Sequence, residues 1–264
     1  MITGSIDGKA FRIAESWSEL DSKTALKVVS VMYSEPPSVS LDIKILRVLL
    51  PINDLKFLKF EAEQVLRLIK QIRWVWDLPK TGSFPFNTFV HKKVEYITPM
   101  LGFENGSYKE FLAANIEFCK YTNPKNPDYS APQRLVAILC RPLTDQDRNH
   151  PSWNGDDREP FHSEICRLRA KQFDDLPAGI MIMAVHYWVK LLEDLVLKYP
   201  IFDGESGPPD GGIGWVNTMF GVAEDGTFGS VKDVENEFFH KVCLYLVKKR
   251  NDYEKAKNES ENNN

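Results

Sequence analysis

The fold of this chain is decided by two adjoining segments, FHSEICRLRAKQFDDLP at residues 161–177 and AGIMIMAVHYWVKLLEDLVLKYP at residues 178–200. Pro177 disfavours a helical conformation at Leu176, so the sequence predicts a first helix that ends near Asp175. A second, amphipathic helix is predicted after Pro177, because its apolar residues recur three and four positions apart. These residues are Ile180, Met181, Met183, Ala184, Tyr187, Trp188, Leu191, Leu192 and Leu195.

The composition is that of an ordinary globular protein. A chain of 264 residues is long enough for one large domain or two small ones, and its 43% hydrophobic content supports a core without covalent staples. The net charge of −4 argues against a nucleic-acid binder, which usually carries a basic face, although a local basic patch stays open.

The cysteines and the chain's apolar runs bear on the cellular compartment. Four widely spaced cysteines form no CxxC pair, a pattern that predicts buried free thiols in a reducing cytoplasm. The N-terminal residues lack the basic start and apolar run of a signal peptide. Lys190, Glu193 and Asp194 interrupt the most apolar helix, so no transmembrane span is expected.

Outside residues 161–200, the pattern of apolar and polar residues predicts a mainly α protein with a small β element near residues 84–103. Alternation in NTFVHKKVEYI, residues 87–97, indicates one or two strands there, and a weaker alternation suggests another at residues 6–13. Ser16 and Ser107 each precede a glutamate by three residues, the pattern of a capping box, and predict helix starts. Further helices are expected at about residues 17–33, 41–50, 61–72, 107–121, 131–139, 215–222 and 234–254.

The loops suggest how the chain is organised. We expect a helical core with the β insertion at residues 1–200 and a C-terminal helical segment at residues 201–254. Between them lies the Gly/Pro-rich stretch FDGESGPPDGGIG at residues 202–214, which predicts a flexible connection. Residues 143–160 are polar and read as a surface loop. Residues 255–264, KAKNESENNN, are too polar to pack and predict a disordered tail.

No motif predicts a catalytic, cofactor or metal site. His162 and Cys166 are spaced to share one helix face, but a zinc ion would need two more ligands. His186 could carry protons, yet a hydrogen-bonded imidazole on the helix flank is the simpler interpretation. Asp156–Asp157 and Asp174–Asp175 are interpreted as solvated acid pairs. GxSxG, HExxH and the Walker pattern do not occur in the sequence.

Aromatic residues crowd between residues 73 and 103, beginning with Trp74 and Trp76, and lysines lie among them. Such a cluster could form core, could anchor a protein partner, or could stack on single-stranded nucleic acid. The acidic composition disfavours the last alternative.

Four blocks, taken in order, resemble tail-associated proteins from phages and prophages of Bacteroidetes-type hosts. They are SWSELDSKTALKVV (residues 16–29), YKEFLAANIEFCKYTN with PQRLVAILCRP (108–142), RLRAKQFDDLPAGIMIMAVHYWVKLLEDL (167–195), and the stretch from GWVNTMFG to KKRNDYE (214–254). The chain departs from that pattern at Cys140, where an aromatic residue is usual, and at His186–Tyr187, which replace a Phe pair.

The resemblance implies a morphogenesis protein, most like a tail assembly chaperone, with no catalytic residue to carry over. We therefore expect a non-enzymatic protein of the bacterial host cytoplasm that binds a viral structural protein, a tail tube or tape-measure protein. A stable minor virion component and an enzyme with a site assembled from distant residues remain alternatives, and the oligomeric state stays open. The predicted partner-binding residues are Trp74, Trp76, Met181, Met183, Tyr187 and Trp188.

Overall fold

The long apolar helix forms where the sequence predicts it, and it lies at the centre of the protein. In the computed structural model this helix, α8, spans Ala178–Lys198 and begins directly after Pro177. The preceding helix, α7, is shorter than predicted and spans Ser163–Ala170. The chain leaves α7 early because Phe173 turns inward, where it is fully buried and packs edge-on against Tyr96.

The structure describes residues 2–6, 8–77, 83–150, 153, 155–202 and 212–262, and most of the predicted flexible connection at residues 202–214 lies outside them. The strands are β1 (Ile2–Ile6), β2 (Lys9–Ile13), β3 (Thr88–His91), β4 (Val94–Ile97) and β5 (Arg141–Pro142). The helices before α7 are α1 (Ser22–Met32), α2 (Val39–Leu49), α3 (Asp54–Phe57), α4 (Ala62–Gln71), α5 (Tyr108–Tyr121) and α6 (Ala131–Leu139). After α8 come α9 (Ile213–Glu224), α10 (Val231–Asn236) and α11 (Phe239–Asn262). Among the described helices, none is long and apolar enough to cross a membrane.

The mainly α class and the small β element within residues 84–103 are confirmed. β3 and β4 form an antiparallel hairpin. β5 pairs with the free edge of β4, where Tyr96 lies opposite Pro142. The two turn residues, Lys92 and Lys93, have φ angles of 47° and 67°, the left-handed region that a tight two-residue hairpin requires. Lys92 also anchors the turn, because its ammonium group lies 2.8 Å from Asp175 Oδ1.

The N-terminal region differs from the prediction in two ways. The single strand expected at residues 6–13 is a hairpin of β1 and β2. The helix expected from residue 17 starts only at Ser22, where Asp21 accepts a hydrogen bond from the Thr24 N–H at 2.9 Å. Ser16 makes no cap, since its hydroxyl lies 2.9 Å from the Ser18 hydroxyl and precedes only a short 3-10 turn.

The polar stretch at residues 143–160 is not a fully exposed loop. Leu143 and Arg158 pair as an antiparallel bridge, and the Thr144 N–H donates to the Asp157 carbonyl at 2.8 Å. Asp156 and Arg158 are buried, so the interpretation of Asp156–Asp157 as a solvated acid pair is wrong for Asp156. The cause is a set of buried ionic contacts that draws Asp156 and Arg158 into the protein.

The C-terminal residues also differ from expectation. The helix predicted at residues 234–254 is two helices, because the chain is extended at Glu237, and Phe238 bridges to Ser107. α10 and α11 contribute Val234, Phe239 and Val242 to the same buried core as α8. The predicted disordered tail at residues 255–264 is helical as far as Asn262, although its described side chains are exposed.

His240 ties α11 to the rest of the protein through both ring nitrogens. Nε2 donates to the Gly102 carbonyl at 2.7 Å, and Nδ1 accepts from the Tyr199 hydroxyl at 2.8 Å. The carbonyl can only accept, so Nε2 carries a proton, and in the neutral ring Nδ1 is then the acceptor. Burial lowers the pKa of His240 below its usual value, and the hydrogen bond to Gly102 opposes this shift.

This lowered pKa predicts a protein that loses stability in mild acid. Below about pH 6.5 the unfolded state binds a proton at residue 240 that the folded state does not, so the free energy of unfolding should fall as the pH falls. Urea unfolding between about pH 7.5 and about pH 5.5 should give a shallower pH dependence for His240→Gln than for the wild type. The exposed His162→Gln serves as the control. An unchanged slope in His240→Gln would show that this imidazole does not link folding to pH.

Candidate functional site

Three of the predicted partner-binding residues on α8 lie inside the protein. Met183, Tyr187 and Trp188 are buried, with Tyr187 and Trp188 wholly inaccessible, so no partner reaches them in this conformation. The apolar face of α8 is covered because α1 and α6 both pack against it. Met181 is half-buried and packs against the same core. The expectation that Met183, Tyr187 and Trp188 are exposed on the apolar face of α8 is therefore wrong.

Trp74 and Trp76 are half-buried on a 3-10 turn rather than displayed on a loop. The Trp74 indole N–H donates to the Ala14 carbonyl at 3.1 Å, and its ring packs edge-on against Trp17. The Trp76 indole N–H donates to Asp42 Oδ1 at 3.3 Å. The Trp74 indole thus contacts the N-terminal region and the Trp76 indole contacts α2.

A surface groove runs between α5 and the stretch that leads into α7. The side chains of α5 that line it are three or four residues apart, so they form one face of the helix. From Lys109 to Lys120 this face is about 16 Å long. Two adjoining cavities of about 350 Å³ and 330 Å³ make up the groove and share Ala113, Ile116, Phe161 and Ser163. We call this feature the α5–α7 groove.

The α5–α7 groove has an apolar floor and a charged rim. Ala113, Ile116 and Phe161 contribute to its floor, and the small side chain at Ala113 leaves room for close approach. At one end Glu117 accepts from Arg134 at 2.6 Å and from Lys120 at 2.7 Å. An apolar floor within a polar rim is the general form of a peptide- or helix-binding surface.

Behind the groove lies a set of four buried charged side chains, Glu110, Arg141, Asp156 and Arg158, which we call the buried ion cluster. Each of the four is less than 8% exposed. Both carboxylates contact both guanidinium groups, and the cluster carries no net charge. The guanidinium of Arg141 also lies over the ring of Phe161, 5.9 Å from its centroid, and so connects the cluster to the groove floor.

Every N–H of Arg158 has a partner. Its guanidinium donates to Asp156 through Nε and Nη2, and Nη1 contacts Glu110 Oε1 at 3.0 Å. Nη1 also donates to the Leu139 carbonyl at 2.7 Å, and Nη2 donates to Asn105 Oδ1 at 3.2 Å. Burial lowers the pKa of Arg158, but the charges of Glu110 and Asp156 outweigh that effect and raise it overall.

Arg141 is satisfied in the same way. Nη1 lies 2.7 Å from Glu110 Oε1 and donates to the Ile138 carbonyl at 2.8 Å, while Nη2 contacts Glu110 Oε2 and Asp156 Oδ2. Nε donates to the Glu159 carbonyl at 2.6 Å. With its donors engaged inside the protein, the cluster has the chemistry of a structural clamp that holds Arg141, Asp156 and Arg158 against α5.

The sequence analysis missed this cluster, although a partial signal was present. Glu110 lies among apolar residues of α5, between Tyr108 and Phe111, and Arg141 directly follows the buried run that ends at Cys140. A charge inside an apolar face indicates a buried ionic partner. Nothing local identified that partner, because the contact between Arg158 and Glu110 joins residues 48 positions apart.

His162 is exposed and Cys166 is buried at the edge of the groove. The Cys166 sulfur lies 3.9 Å from Arg169 Nη1, and burial raises the pKa of its thiol. Within the described parts of the chain, no three His, Cys, Asp or Glu side chains are arranged to hold a metal ion. Of the four free thiols, three are buried and Cys119 is half-buried.

In comparisons with known protein families, curated proteins and solved structures, nothing matches this chain.

Proposed function

We propose that this chain is a non-enzymatic phage assembly protein that binds another viral structural protein during tail morphogenesis, in the manner of a tail assembly chaperone. The observation that carries the proposal is the α5–α7 groove, an open apolar channel about three helical turns long. An amphipathic helix placed in such a groove buries its apolar stripe, while the charged rim contacts its polar flanks.

The position of the groove supports the same proposal. Much of its lining comes from α5, α6 and α7. The helices α5 and α6 lie within the second sequence block that resembles phage tail-associated proteins, and the second half of α7 lies within the third. Arg141 and Pro142 end the second block, and Arg141 belongs to the buried ion cluster that holds the groove wall. The expected occupant is an apolar helical segment of a tail tube or tape-measure protein, met in the cytoplasm of the bacterial host.

Co-expression tests the proposal directly. The tagged chain should copurify with the tail tube or tape-measure protein of the same phage, and Ala113→Glu should weaken that binding by roughly tenfold or more, because it places a charge on the apolar floor. Glutamate is a good helix former, so α5 should persist. Leu197→Glu is the matched control, since Leu197 is an apolar residue, 86% exposed, at the end of α8.

Two results would contradict the proposal. Unchanged binding by Ala113→Glu would show that the α5–α7 groove is not the binding surface. Failure of both tail proteins to copurify with the chain would contradict the proposed assembly function. Mass spectrometry of purified particles tests the virion alternative, since a stoichiometric amount of this chain in the virion would identify a stable minor tail component.

A further inference from the structure

The N-terminal hairpin has an open edge. Among the described residues β1 pairs only with β2, and the two strands form a separate two-stranded sheet. Phe11 and Ile13 of β2 pack into the core, and the open edge of β1 presents unpaired N–H and C=O groups that can accept another strand.

The register of the hairpin identifies the backbone groups at that edge. Ile6 and Lys9 form the last pair of the ladder, with two residues between them in the chain, and such a closing pair is hydrogen-bonded. Hydrogen-bonded and non-hydrogen-bonded pairs alternate along an antiparallel ladder, so Gly4 is directed toward β2. Thr3 and Ser5 therefore point their N–H and C=O groups away from β2, toward the free edge, and their side chains are exposed.

β1 carries no feature that would protect its edge. Natural edge strands are usually blunted by charged residues or proline, and β2 contains Lys9 and Arg12. β1 has the sequence Ile-Thr-Gly-Ser-Ile and contains neither. The face at Gly4 is covered instead by Phe11, since a Cβ at Gly4 would lie 2.4 Å from the Phe11 ring. Phe11 thus fills the space at Gly4, while the edge of β1 stays open.

The order of residues in β1 identifies the strand that fits this edge. The sequence Ile-Thr-Gly-Ser-Ile reads nearly the same in both directions around Gly4, with the two hydroxyl residues in equivalent positions. An antiparallel copy centred on Gly4 places Thr3 opposite Ser5 of the copy, and Ser5 opposite Thr3. Those residues carry the outward backbone groups, so four hydrogen bonds form across a twofold axis.

From this self-complementary edge we propose that two copies of the chain associate by pairing β1 with β1, antiparallel and centred on Gly4. The result is a continuous four-stranded sheet with strand order β2-β1-β1-β2. The dimer formed in this way is weak, with a dissociation constant on the order of 100 µM, because a five-residue strand buries much less surface than a standard protein–protein interface.

Sedimentation velocity tests this proposal on the full chain with any purification tag at the C-terminal end. Between about 10 µM and about 1 mM the wild type should shift from monomer to dimer. The double variant Thr3→Lys/Ser5→Lys should stay monomeric, because like charges face each other across the twofold axis. Thr3→Glu/Ser5→Glu should stay monomeric for the same reason.

Mixing the two double variants should restore the dimer, because each lysine then faces a glutamate. Ala10→Lys is the control, since Ala10 is the exposed partner of Ser5 on β2 and does not lie on the β1 edge. It should dimerise like the wild type. A wild type that remains monomeric at the highest concentration, or a lysine variant that dimerises as well as the wild type, would overturn the proposal.

Discussion

Replacing Arg158 by methionine is expected to lower the free energy of unfolding by about 3–5 kcal/mol. Arg158 is 2% exposed and balances the charges of Glu110 and Asp156 inside the protein. Without it, the two buried carboxylates lose one of the two guanidinium groups that they share, and Asn105 and the Leu139 carbonyl lose a donor. A buried charge without its partner keeps its full desolvation cost, which explains the size of the effect.

Arg148→Met is the matched control, because it removes the same group from an exposed pair. Arg148 lies 3.0 Å from Asp157, and its side chain is 60% exposed, so the loss should be at most about 1 kcal/mol. Chemical denaturation with linear extrapolation measures both variants. Equal losses for Arg148→Met and Arg158→Met would mean that the buried ion cluster contributes no more than a surface pair.

Phe239→Ala should cost a similar amount, about 3–5 kcal/mol, for a different reason. Phe239 is fully buried at the first position of α11, and its ring stacks on Phe111 with centroids 3.7 Å apart. It also packs edge-on against Phe103 and Trp215. Alanine would leave a cavity where elements distant in sequence meet, and would free the start of α11 from α5.

The exposed Phe220→Ala provides the comparison, since Phe220 on α9 is 48% exposed. It should change the free energy of unfolding by less than about 1 kcal/mol. Limited proteolysis adds a second measurement, because Phe239→Ala should expose the α11 segment to cleavage sooner than Phe220→Ala does. If Phe239→Ala and Phe220→Ala had the same free energy of unfolding and the same rate of cleavage, the aromatic contacts of Phe239 would not be what holds α11 against α5.

Most helices could be predicted because their signals are local. Pro177 marks the start of α8, and Ser107 caps α5 by accepting a hydrogen bond from the Glu110 N–H. The same pattern at Ser16 failed, because the buried Trp17 donates its indole N–H to the Asp77 carbonyl and holds that turn in another conformation. A capping signal acts within one turn, and a tertiary contact can override it.

The candidate site was much less predictable. The apolar stripe of α8 was correctly identified as a stripe, yet Met183, Tyr187 and Trp188 proved to be core. Periodicity shows that one face of a helix avoids water, but it does not show whether another helix or a partner covers that face. The α5–α7 groove has no local signature, since its floor joins α5 to Phe161, which lies far along the chain.

The helical class, the position of the small hairpin at β3 and β4, and the start of α8 can be predicted from the sequence, because each depends on residues within a few positions of one another. Which apolar surface stays open and which charges are buried depends instead on contacts between residues that are far apart in the chain. Glu110, Arg141 and Arg158 are ordinary charged residues until folding brings them together, and only then does mutual pairing offset the cost of removing each from water.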